Sequence, residues 1–87
     1  MGAGVEAVES IIAREFGPRP INRIPTEDDG TVLSFQAEGR NFTVVVTVEF
    51  DSDYPSGTTA DIDDLGTQLR GAASGRVVVR TTGIAQG

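Results

Sequence analysis

Apolar residues fall at every second position from Phe42 to Phe50. Phe42, Val44, Val46, Val48 and Phe50 share one side, and Thr43, Val45, Thr47 and Glu49 take the other. This period of two, in a β-branched setting, predicts a strand over Asn41–Phe50. The stretch before it alternates in the same way: Leu33, Phe35 and Ala37 oppose Val32, Ser34 and Gln36, which predicts a strand over Thr31–Glu38. Between the two, Gly39-Arg40 suits the two-residue hairpin turn that starts with glycine. A last strand is predicted over Arg76–Thr82, with Val77 and Val79 on one face and Arg76, Val78 and Arg80 on the other.

Elsewhere the spacing of apolar residues changes to three and four. Val5, Val8, Ile12 and Phe16, with Ile11 at the edge, form one stripe and predict a helix over Gly4–Phe16. Gly17 and Pro18 end it. Ile62, Leu65, Leu69 and Ala72 or Ala73 predict a second helix over Asp61–Ala73, although Gly66 and Gly71 weaken it by roughly 1 kcal/mol each; both glycines suit close packing on the sheet. Ile21–Ile24, among three prolines, is compatible with a short edge strand or with a loop. "EDDG" reads as a turn in which Gly30 supplies positive φ. Residues 83–87, "GIAQG", read as a frayed tail beyond an ordered core of about 4–82.

The order is thus α-(β)-β-β-α-β in a single domain over 1–87. Two amphipathic helices cover one face of a small mixed sheet of 3–4 strands, which gives a two-layer α+β sandwich. The strand–helix–strand unit over Asn41–Thr82 should place the last strand parallel to a neighbour.

Composition narrows what such a domain can do. The 87 residues include no Cys and no His, and all seven cations are arginines. There is therefore no disulfide, thiolate nucleophile, Schiff-base lysine or neutral-pH imidazole base. Only carboxylates and Tyr54 remain for proton transfer, and the short chain has little mass for a cleft around a carboxylate pair. No phosphate loop or dinucleotide fingerprint occurs, and no cofactor is implied. The net charge of −6 opposes direct nucleic-acid binding and docking on anionic membranes. No apolar run approaches the ~20 residues that cross a bilayer. "MGAGVEAVES" lacks the basic start and apolar run of a signal peptide, and Glu6 stands where a myristoylation motif has Ser or Thr. The expected location is the cytoplasm, or a virion.

Five aspartates crowd into Phe50–Asp64. Asp51 and Asp53 match the first two ligands of a helix–loop–helix calcium loop. Pro55, Ser56 and Ile62 then stand where that loop needs a ligand, a glycine and a bidentate glutamate. An irregular metal site of Asp51, Asp53 and Asp61 is the remaining metal reading. The helix-start reading explains more: Thr58 or Thr59 caps the second helix, with Thr58-Thr59-Ala60-Asp61 as a variant capping box, and Asp61, Asp63 and Asp64 meet the positive end of its dipole.

"EAVESIIAREF" followed by "VTVEFDSDYP" resembles the opening helix and the strand-to-"YP" turn of RWD and ubiquitin-conjugating-type domains. That resemblance implies an α+β fold and, for RWD domains, protein binding without catalysis. Ser56-Gly57-Thr58-Thr59 replaces the prolines expected after "DYP", and without Cys no conjugating activity is implied.

If both helices cover the Phe42–Val44–Val46 face, Val32, Val45 and Val78 lie on the opposite face beside Thr43, Thr47, Arg76 and Arg80. Ordinary strand propensity accounts for isolated valines. Three on neighbouring strands make a patch suited to a protein partner or to self-association. Arg76 and Arg80 flank Val78 on one side of the strand, and Glu49 is placed to pair with one of them. The leading expectation is a non-catalytic, acidic protein-interaction module. The alternatives are an acidic inhibitor that mimics nucleic acid in a basic groove, as phage-encoded antagonists do, and a structural subunit of a phage connector or tail-type assembly.

Overall fold

The computed structural model describes residues 3–26, 30–56, 58 and 61–87. The elements are α1 (Ala3–Phe16), β1 (Asn22–Pro25), β2 (Thr31–Ala37), β3 (Arg40–Val46), α2 (Val48–Asp53), a 3-10 turn (Ile62–Asp64), α3 (Leu65–Gly71), β4 (Arg76–Arg80) and β5 (Gly83–Gln86). The strands form one sheet in the order β1-β2-β3-β4-β5. Only β3 and β4 are parallel; the other neighbours are antiparallel. A parallel pair needs a long crossover, here residues 47–75 with α2 and α3. The class is α+β, as expected, with five strands and three helices among the described residues in place of 3–4 strands and two helices.

Alternation decides the faces. Leu33, Phe35, Ala37, Phe42, Val44, Val46, Val77 and Val79 are buried in one core with the helical residues Val5, Val8, Ile11, Ile12, Phe16, Phe50, Ile62, Leu65, Leu69 and Ala72. Phe16, Phe35 and Phe42 form a ring cluster with centroids 5.2–5.5 Å apart. Among the described residues every helix packs on this one face of the sheet, and the other face carries none.

Several expectations are corrected. The long strand stops at Val46. Thr47 donates its N–H and hydroxyl to the Val79 carbonyl at 3.2 and 2.9 Å, and its own carbonyl accepts from Asp51 N–H at 3.0 Å, which starts α2. Val48 therefore points outward while Phe50 is fully buried. Val46 and Phe50 are four residues apart, so the buried pair fits a helical turn as well as an even strand period. Tyr54-Pro55 follows this helix and not a strand, unlike the pattern that the resemblance implied.

The hairpin turn is Glu38-Gly39, one residue earlier than expected. Ala37 pairs with Arg40, and φ is 55° at Glu38 and 72° at Gly39, the two positive values of a type I′ loop. Ile21–Ile24, left open between strand and loop, contributes to β1 through Asn22–Pro25. Residues 83–86 are not frayed: β5 pairs with β4 from Arg80↔Gly83 to Val77↔Gln86.

The second helix begins as the 3-10 turn, capped by Asp61, whose side chain accepts from Asp63 N–H at 3.2 Å. Thr58 instead donates its hydroxyl to the Thr81 carbonyl. Thr59, Ala60 and Glu27–Asp29 of the expected "EDDG" turn lie outside the described residues. Gly66 faces α1 and not the sheet: a Cβ there would stand 2.6 Å from a Glu15 carboxylate oxygen. Among the described residues no helix is long and apolar enough to cross a membrane.

Candidate interaction face

Strand register places residues side by side, and directly paired residues project to the same face. One row runs across all five strands: Ile24, Val32, Val45, Val78 and Ala85. It lies on the face that carries no helix. The row beside it is Asn22, Ser34, Thr43 and Arg76, and Arg80 lies two residues beyond Val78. The structure thus brings the five residues expected to bind a partner, Val32, Val45, Val78, Arg76 and Arg80, onto one surface.

Exposure along the apolar row follows from position in the sheet. Val45, on the central strand between Val32 and Val78, is 4% exposed; Ile24, on the edge strand, is 51% exposed. Val48, at the start of α2, is 47% exposed and closes one end of the face. It lines a depression of about 270 Å³ with Val45, Thr47, Glu49, Arg76, Val78 and Arg80. Sequence reasoning missed Ile24 and Val48. The first needed the β1–β2 register, and the second needed the end of β3.

The arginines divide into two sets. Arg23 binds Glu9 with two hydrogen bonds of 2.7 and 2.6 Å, which raises its pKa further. Arg70 binds Glu38 and lies 4.4 Å from the Phe16 ring centre. The Arg70 hydrogen bond holds the Glu38 carboxyl below its ordinary value and raises the guanidinium. Arg14 pairs with Glu15 and Asp63. Arg40 donates to the Arg70 and Ala72 carbonyls, and Arg19 donates to those of Phe16, Gly17 and Gln36. These five tie helices, turns and sheet together. Among the described residues, the side chains of Arg76 and Arg80 make no ion pair or hydrogen bond. Glu49 lines the same depression without pairing to either, because it sits on α2 and not in the ladder of β3.

Among the described residues, carboxylates avoid this face. None of the strand positions that project to it is acidic; Glu49, at its rim, is the acidic residue that lines the depression. The three aspartates considered for a metal have separate tasks or none. Asp51 accepts from Val5 N–H at 2.8 Å and so satisfies one of the unpaired donors at the start of α1. Asp61 caps the 3-10 turn, and Asp53 is exposed. Among the described residues, no three carboxylates are grouped to hold a metal ion.

Neither family models, curated proteins nor solved structures match this chain.

Proposed function

We propose that this chain is a non-catalytic interaction module that docks a partner protein on the open face of its sheet. One observation carries the reading: the two large apolar side chains exposed among the described residues, Ile24 and Val48, frame the same surface. They flank a continuous apolar row and two arginines that no carboxylate engages among the described residues. A solvated face has no need to gather these features, whereas a docking surface combines an apolar centre with arginine. The absence of Cys, His and Lys supports the non-catalytic part.

The test is capture of partners from the native host with the wild-type chain and with the double variant Ile24→Glu, Val48→Glu. Both positions are exposed, so the variant should fold. The reading expects a partner held by the wild type to be lost on the variant. A partner retained in full would move the interaction to the acidic helical layer, where a mimic of nucleic acid would carry it.

A further inference from the structure

We infer that the element docking on this face is an extended segment of the partner in which carboxylates alternate with an apolar anchor, in the order acid–x–apolar–x–acid. The inference rests on the docking reading above and adds the partner's chemistry. Arg76, Val78 and Arg80 leave one face of one strand at successive even positions, so the guanidinium stems stand about 13 Å apart with a valine midway. An extended chain laid over β4 repeats the same rise and projects its own residues i, i+2 and i+4 downward. Carboxylates at i and i+4 meet the arginines, each able to form a bidentate pair. The apolar side chain at i+2 enters the depression over Val45 and Val78.

Charge on the face favours an acidic partner even though the protein is acidic as a whole. Attraction and repulsion between exposed charges are screened over about 8–10 Å at ordinary salt. Among the described residues every acidic side chain belongs to a helix, its cap or a turn, and the helices lie on the far side of the sheet from the open face. A carboxylate arriving at Arg76 or Arg80 therefore senses the guanidinium first. Glu49 opposes it locally, which gives the proposal a test of opposite sign.

Two other occupants fit less well. Five strands at about 4.8 Å spacing, overlapping over four or five residues, make a face of roughly 24 by 15 Å. A second copy would need nearer ~800 Å² from each partner and would bring its own charge of −6. A single-stranded nucleic acid would be drawn by the arginines, but its bases need aromatic platforms. The four phenylalanines are buried in the core on the other side.

The experiment is selection of a displayed library of random 12-residue peptides on the wild-type chain. The consensus is then synthesised and titrated into nitrogen-15-labelled protein. The proposal expects acidic residues at i and i+4 around an apolar residue, and shifts centred on the Val45 and Val78 amides. It expects at least tenfold weaker binding to Arg76→Ser, Arg80→Ser, and severalfold tighter binding to Glu49→Gln. Peptides that shift the same amides but lack the acidic positions, or that bind the arginine variant equally well, overturn this inference and leave the docking face standing. So does a 12-nucleotide single-stranded DNA that binds there more tightly than the consensus, or a dimer in sedimentation that the arginine variant abolishes. If selection yields no peptide, or only peptides that shift the helical layer, both the inference and the docking face fall.

Discussion

Val45 and Val46 are neighbours on one strand and face opposite ways, so a pair of alanine substitutions measures how differently the two sides of the sheet are covered. Val46 is fully buried under the helices. Removing two methyl groups there forfeits about 1.6 kcal/mol of transfer free energy at ~0.8 kcal/mol per group. A void of roughly 50 Å³ that rigid neighbours cannot close adds ~1 kcal/mol. The expected loss is ~2–3 kcal/mol, or a fall in melting temperature of roughly 10–20 °C for a domain of this size. Val45 is nearly as inaccessible, at 4%, but its cover is the fringe of Val32 and Val78 beside an open depression. Water and long side chains can fill what Val45→Ala leaves, so the void contribution disappears and about 1 kcal/mol remains. Urea titrations with a common slope should separate the two midpoints clearly. Equal losses would refute the account in which only one face of the sheet is covered and show that a further layer covers Val45. If the Val45→Ala loss also grew with protein concentration, that layer would be another copy of the chain.

Gly4→Ala should destabilise by more than ordinary helix propensity would improve it, by ~1–3 kcal/mol, because a Cβ there would stand 2.7 Å from the Asp51 Cα and 2.9 Å from the Phe50 ring; a thermal melt at or above the wild-type midpoint would contradict the tight crossing of α1 and α2. Asp51→Ala should cost about 1 kcal/mol by removing the acceptor for Val5 N–H, and Asp51→Asn should recover most of it; equal losses for the two would show that the carboxylate and not the hydrogen bond matters. Glu38 has a folded-state pKa below the usual 4.5 because Arg70 donates to it, so its stabilisation is complete above the unfolded value and is lost as pH falls through the folded value. In Arg70→Gln the Glu38 carboxyl, followed by carbon-13 NMR, should titrate back near its ordinary value; an unmoved titration would remove Arg70 as the cause.

The faces of the sheet were legible because alternation is a local property: every inward residue expected on β2, β4 and the first part of β3 is buried. The five residues assigned to the partner surface came from the same pattern. What was not legible depends on distant partners. Nothing near Val48 announces that Thr47 binds the Val79 carbonyl or that Asp51 caps α1, forty-six positions away along the chain. Both contacts help turn an apparent strand into a helix. "GIAQG" lacks the β-branched run that marks a strand, and it is held in one by pairing with β4. The hairpin slipped by one residue because Glu38 is a non-glycine residue at positive φ, a choice that sequence preference does not favour.

The parallel pairing of β3 with β4 also predicts an order of events during folding. β2 and β3 meet across a two-residue loop, whereas Thr43 and Arg76 meet only after the intervening chain closes, at an entropic cost of about 3 kcal/mol. Pulsed hydrogen exchange should therefore find the β2–β3 amides protected before those of Val77–Val79; simultaneous protection would show that hairpin and crossover form in one step and refute this order. During synthesis the interval is longer, since β3 is complete some thirty residues before β4 begins. Through that interval the open flank of β3 presents unpaired backbone groups beside Val44, Val45 and Val46, a template for pairing with another nascent chain. Substitutions in the crossover that delay closure would thus raise aggregation during expression by more than their effect on the stability of the finished protein accounts for.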